Sequence, residues 1–305
     1  MPEGVSATPR RGRPPTALDW NEEKKSWPHA DASSFRQAGG LRWHVQQMGE
    51  GPPILLIHGT GASTHSWRDL APLLAQRFTV IAPDLPAHAF TERPRSRRLS
   101  LSFMAKALAE LIETMPRRPV MAVGHSAGVA ILLRCCLDGG LSPAGIASIN
   151  GALLPFRGAA GILFPPLAKL MFLNPLMPRM LARSAGNPER VERLIGDTGS
   201  ALDPAGIELY ARLFRRPAQV AAALGMMAHW DLRRLAEDSD ALDLPLLLVA
   251  GENDQAIAPA EADRVAEKIG HAQVQRLPGL GHLAHEEDAA AVGARIIRFA
   301  EEIGV

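Results

Sequence analysis

The sequence holds two cysteines in 305 residues, and they are neighbours, Cys135-Cys136. That spacing fits neither a disulfide framework nor a C-x-x-C metal or redox motif. Two buried free thiols in a reducing compartment are expected. Excess charge of either sign is also missing: 33 Lys and Arg stand against 32 Asp and Glu, a net of +1. A global basic footprint for nucleic acid is thereby excluded. No uncharged apolar run reaches the roughly eighteen residues that a spanning helix needs. The nearest approach, 158–178, is interrupted by Lys169 and by Pro165, Pro166 and Pro175. There is no H-E-x-x-H, no P-loop and no G-x-G-x-x-G after a strand. Gly59-Thr60-Gly61 is too short for a dinucleotide fingerprint, so neither a metal nor a cofactor is expected. The first 35 residues carry Arg10, Arg11, Arg13, Lys24 and Lys25 with no apolar segment after them. No secretory leader is expected, and the location implied is cytoplasmic.

What is present is a core-forming chain, 47% hydrophobic, long enough for one large α/β unit or two smaller ones. Short continuous apolar runs lie at 54–57, 78–82, 120–123, 146–149, 246–249 and 274–277, and 41–48 alternates apolar with polar. Helical periodicity occupies 67–75, 101–115, 127–137, 260–269 and 289–303. Apolar strands alternating with helices predict a mostly parallel central sheet covered on both faces. Residues 152–242 break the alternation and read as helices separated by prolines. The expected organisation is a flexible extension over 1–34, a core from 35–151 and 243–305, and a helical cap over 152–242. The first part of the cap, 153–180, is rich in Leu, Met, Phe and Pro. Such side chains suit a greasy substrate mouth, a membrane-facing surface with peripheral contact, or plain packing onto the core.

Gly124-His125-Ser126-Ala127-Gly128 fits G-x-S-x-G. The motif alone is weak, but here it follows an apolar strand and opens a helical pattern, the setting a nucleophile elbow requires. Ser126 would sit at a helix N-terminus, where backbone N–H groups favour developing negative charge. A serine hydroxyl needs a base. His282, in the loop after the last predicted strand, is preferred over His229, His271 and His285, because the Pro278-Gly279-Leu280-Gly281 lead can bring its imidazole over the sheet. Asp254 follows the 246–250 run and is the expected orienting acid, with Glu252 the alternative. Asn150, after the preceding strand, is not acidic. The oxyanion donors expected are the N–H of Ala127 and that of Thr60 or Gly61, each worth about 3 kcal/mol of transition-state stabilisation. Candidate substrate contacts are His125, Trp67 and Phe90.

From about Gly39 onward, these residues in this order resemble the α/β-hydrolase superfamily: His58-Gly59, Trp67, Asp84, the elbow, Asp254 and Gly281-His282. The resemblance implies an α/β-hydrolase fold with an inserted cap. A Ser nucleophile argues against the related dehalogenase and epoxide hydrolase branches, which use a carboxylate. Longer stretches are similar to a narrower family, the small α/β-hydrolases of bacteriochlorophyll synthesis described as magnesium-chelatase accessory proteins. They are Leu41-Arg42-Trp43-His44-Val45-Gln46, the segment 58–68, and the cap segment from Phe214-Arg215-Arg216-Pro217 through Asp231-Leu232. That resemblance implies a hydrophobic small-molecule substrate such as a porphyrin, and magnesium-chelatase subunits as partners. It leaves open a serine hydrolase or a non-catalytic porphyrin-binding protein. One departure is visible: where the superfamily often has Asp-x-x-Gly-His-Gly, this chain has Asp84-Leu85-Pro86-Ala87-His88-Ala89. If either alanine needs a positive φ, the exchange strains the loop.

Overall fold

The computed structural model describes residues 16–95, 99–155, 170–171 and 173–305. Eight strands form one sheet in the order β1-β2-β4-β3-β5-β6-β7-β8. They are β1 (Ser33–Ala38), β2 (Leu41–Met48), β3 (Pro53–Ile57), β4 (Thr79–Pro83), β5 (Met121–His125), β6 (Gly145–Ile149), β7 (Leu246–Gly251) and β8 (Ala272–Leu277). The β1–β2 and β2–β4 pairs are antiparallel, and every other pair is parallel.

The apolar runs end up buried because both sheet faces are covered. Alternate residues point to opposite layers. Leu55, Ile57, Ala122, Ile146 and Leu248 face α3 (Leu101–Glu113), α4 (Ala127–Leu137) and α10 (Ala260–Lys268). Ile54, Leu56, Val123, Ala147 and Val249 face α2 (Leu70–Leu74) and α11 (Ala289–Glu302). Cys135 and Cys136 are free, and burial pushes both thiols up to about 12, so neither is a nucleophile at neutral pH.

Between β6 and β7 the described residues form α5 (Met177–Ser184), α6 (Pro188–Gly196), α7 (Pro204–Phe214), α8 (Pro217–Ala228) and α9 (Arg233–Asp238). Three of them open on proline, which lacks only an N–H that the first turn leaves unbonded anyway. Asn187 and Asp203 cap two of these starts by accepting from Glu189 N and Gly206 N. The prolines that separate helices in the sequence are thus helix starts. Residues 156–169, part of the Leu- and Pro-rich segment, lie outside the described residues, as do 1–15.

The expectation of a flexible extension over 1–34 needs correction from Thr16 onward. Leu18 and Trp27 are buried, α1 (Trp20–Glu23) is formed, and Leu18 N–H donates to the Ala89 carbonyl at 2.9 Å. Trp20 and Trp27 both meet the Phe90 ring edge-on. Glu23 is ion-paired with Arg212 of α7. The segment is a strap across one core loop and the cap. Three aromatic and aliphatic anchors outweigh its charge once a tertiary surface exists to receive them.

Candidate active site

Ser126 stands at the turn from β5 into α4 with φ 51° and ψ −121°. That strained conformation is forced by two close approaches. A Cβ on Gly124 would lie 2.7 Å from Val129 N, and one on Gly128 only 2.2 Å from the Ile57 carbonyl oxygen. Both positions must be glycine for the helix to start so near the strand. Ser126 N–H donates to the Ile149 carbonyl at 3.0 Å, which ties the elbow to β6.

Asp254, in the loop after β7, and His282, in the loop after β8, come together. His282 Nδ1 and Asp254 Oδ2 are 2.8 Å apart. The other Asp254 oxygen accepts from Ala256 N and Ile257 N, both at 2.8 Å, which fixes its orientation. Glu252, the alternative acid, is exposed. Ser126 Oγ is not hydrogen-bonded to the imidazole in this arrangement. Such bonds are often long in an unliganded site and tighten with substrate.

The His282 loop is held by residues that sequence reasoning missed or placed elsewhere. Asn150, in left-handed conformation at φ 46°, donates from Nδ2 to the carbonyls of Gly281 and His282, both at 2.8 Å. Its Oδ1 accepts from Gly251 N at 2.8 Å. One side chain therefore joins the tips of β6 and β7 to the histidine loop. The usable signal was an Asn directly after an apolar strand, a residue that tolerates the left-handed region. His125, expected at the substrate, is instead buried behind the site. Its Nε2 donates to the His282 carbonyl at 2.9 Å, and its ring lies 4.8 Å from that of His282 and 4.5 Å from that of His285. Trp67 is buried against His285 in the core, and Phe90 is buried under the N-terminal strap. The structure gives all three a packing position rather than one facing a substrate.

The two candidates for the second oxyanion donor separate. Gly61 N–H donates to His88 Nε2 at 3.2 Å, so that amide is already committed. Among the described residues, the N–H groups of Thr60 and Ala127 have no acceptor. Gln219 of α8, fully buried, donates from Nε2 to the Gly61 carbonyl at 2.9 Å and accepts from Ala89 N at the same distance. The cap thus grips the Gly61 loop and the Asp84 loop with one amide. The two alanines of that second loop do lie at positive φ, 69° for Ala87 and 39° for Ala89. Each carries a strain of about 1 kcal/mol. Ala87 N–H to the Glu92 carbonyl, Gln219 and the strap's Leu18 hold the loop in place.

Five imidazoles crowd beneath these loops and are neutral. Burial depresses His58 and His125 and takes His65, His88 and His285 down to about 3. Leu85 N–H donates to His58 Nε2, which leaves the proton on Nδ1, facing the Gly59 carbonyl. Among the described residues no His, Cys, Asp or Glu cluster is arranged to hold a metal. Beside His285 lies the buried Glu286. Its Oε1 accepts from Ser66 Oγ at 2.6 Å and from the cap's Tyr210 at 2.7 Å.

A sheet of this order, an elbow between strand and helix, an Asp–His pair on two later loops and a helical insertion define a class. The chain belongs to the α/β-hydrolase family, whose model matches residues 54–295. It is 35% identical over 278 residues to the magnesium-chelatase 30 kDa subunit of Rhodobacter capsulatus, covering 90% of this chain and 97% of that protein. A soluble epoxide hydrolase of a Corynebacterium strain is 25% identical over 281 residues, 85% of this chain and 94% of that one. Among solved structures, an α/β-hydrolase fold protein of Burkholderia ambifaria superposes with a TM-score of 0.74 at 25% identity, covering 88% of this chain and 98% of its own.

Proposed function

We propose that the protein is a serine hydrolase acting on a bulky apolar ester in bacteriochlorophyll or tetrapyrrole synthesis, alongside magnesium chelatase. The observation that carries the chemistry is the 2.8 Å pair between His282 Nδ1 and Asp254, beside a serine held at a strained elbow. Ser126 Oγ attacks the ester carbonyl while His282 Nε2 takes its proton. Asp254 keeps the other imidazole proton on Nδ1 and stabilises the charged ring. The carbonyl oxygen becomes an oxyanion facing the Ala127 and Thr60 amides. His282 then returns the proton to the departing alcohol. Water, deprotonated by the same imidazole, releases the acyl group and restores Ser126. No cofactor enters this scheme. The pathway rests on the near-full-length similarity to a protein named as a magnesium-chelatase subunit.

That same name supports a second reading, in which the protein binds a porphyrin for the chelatase and leaves the serine unused. Complementation separates the two. The gene is deleted in its host and restored as wild type or as Ser126→Ala, and accumulated tetrapyrroles are identified by chromatography and mass spectrometry. Pigment restored by wild type alone, at equal protein levels, supports the hydrolase, and the accumulated intermediate identifies its substrate. Pigment restored equally by Ser126→Ala overturns it in favour of delivery. Unchanged pigment after deletion removes the pathway assignment.

A further inference from the structure

Every exposed large hydrophobic side chain among the described residues lies in one stretch of the cap. Leu170 and Leu173 are each 67% exposed, Met180 60%, Leu176 57% and Leu194 52%. Leu176 precedes the first residue of α5, Met180 lies on it, and Leu170 and Leu173 lie a few residues before it. The inner side of this stretch, with Met171, Met177, Leu181 and Ala182, packs on Val220 and Leu224 of α8. A surface element with its inner face satisfied ordinarily turns charge outward; this stretch turns out Leu170, Leu173, Leu176 and Met180 beside Arg179 and Arg183. Large exposed apolar side chains gathered in one stretch mark an interaction surface.

The charge around it says what the surface meets. From Gly139 to Pro188 the chain has no Asp or Glu, although it has 32 of them elsewhere. The charged residues in the described part of that stretch are Arg179 and Arg183, both exposed. Neither is ion-paired among the described residues. A second copy of the chain placed symmetrically on this face would set arginine against arginine. An anionic bilayer instead offers acyl chains to the leucines and headgroup phosphates to the guanidinium groups, with no fixed geometry demanded. No helix among the described residues is long and apolar enough to cross a membrane, so the contact is made in the interface plane.

We propose that the outer face of residues 170–171 and 173–183 docks the protein on an anionic lipid surface through Leu170, Leu173, Leu176 and Met180, with Arg179 and Arg183 on the headgroups. The patch is backed by α8, the helix whose Gln219 holds the Gly61 loop. On the reading that the substrate is a bulky apolar ester, docking by this face sets the cap against the phase in which that substrate dissolves. The proposal does not depend on chemistry at Ser126, and its test contains no activity measurement.

The full-length protein is sedimented with vesicles of phosphatidylcholine alone and of phosphatidylcholine mixed with phosphatidylglycerol. Binding to the mixed vesicles, weakened by high salt, is expected. Arg179→Gln with Arg183→Gln should lower the partition coefficient roughly thirtyfold, at about 1 kcal/mol per basic side chain at an anionic surface. Leu173→Ser with Met180→Ser should lower it at least tenfold. Circular dichroism and melting temperature check that these exposed substitutions leave the fold intact. Failure of the wild type to bind the mixed vesicles overturns the proposal, as does binding that both double variants retain in full. Self-association abolished by Leu173→Ser with Met180→Ser, without vesicle binding, also overturns it and makes the face a contact between copies.

Discussion

Glu286 offers a perturbation whose size and sign follow from the structure. Burial raises its carboxyl from 4.5 to about 7, against the opposing hydrogen bonds from Ser66 and Tyr210 and the charge of Arg68. A folded-state value above the unfolded one means that the native protein holds the proton more tightly. The stability this confers is fully present below about pH 4.5 and is lost as pH rises through 7. The difference amounts to about 3 kcal/mol. Glu286→Gln keeps the Oε1 acceptor for Ser66 and Tyr210 but has no proton to lose. Arg68 retains Asp69 at 3.0 Å and Asp203 at 2.8 Å. The variant and the wild type should therefore be equally stable well below pH 4.5 and differ by only about 1 kcal/mol at pH 5, where the unfolded carboxyl is already mostly ionised. At pH 8 the glutamine protein should be the more stable by up to about 3 kcal/mol, or roughly 6 °C in melting temperature. The buried histidines titrate with the opposite sign, because their folded values are depressed. Their contribution is present above pH 6.5 and falls away in acid, but it is common to both proteins and cancels in the difference. Urea denaturation of the two proteins at both pH values measures it. A gap of the same size at pH 5 and pH 8 would refute the reasoning.

Further expectations concern the site. Asp254→Asn should lower kcat for an ester substrate by about ten thousandfold with little change in KM; a loss below tenfold would hand the orienting role to another acid. Gln219→Leu leaves the Gly61 carbonyl and the Ala89 N–H without partners, which costs about 2–6 kcal/mol of stability. Its residual folded fraction should lose kcat more than KM, since the Thr60 amide is no longer aimed, and steady-state kinetics with denaturation curves would expose an unchanged kcat. Gly128→Ala places a methyl against backbone oxygen 2.2 Å away, so a loss of about 3 kcal/mol in a thermal melt is expected.

The parts of the protein that could be read from its sequence are those fixed by local pattern. Strands β3, β5, β6 and β7 are apolar because both their faces are buried, and the elbow glycines are needed by the turn they make. Asp254 and His282 follow strand ends, so their meeting follows from topology. Strand β1 is not legible because Ser33–Ala38 is mostly polar and half-buried at the sheet edge, which leaves little periodicity. The strap from Thr16 is not legible because Leu18 and Trp27 are bound by loops and helices far along the chain. Asn150, Gln219 and the trio Ser66, Tyr210 and Glu286 act through contacts 76 to 220 residues apart in sequence, a distance at which no pattern is visible. His125, Trp67 and Phe90 show the converse error. Nearness to a site in sequence does not decide which way a side chain turns, and the structure turns these three inward.

The account stands on Ser126 being a nucleophile activated by His282. Incubating the folded protein with a fluorophosphonate probe and mapping the labelled peptide by mass spectrometry tests that directly. The account predicts one adduct, on Ser126 Oγ, absent from Ser126→Ala and much slower in Asp254→Asn. Folded wild-type protein that takes no label, or takes it on another residue, would contradict it.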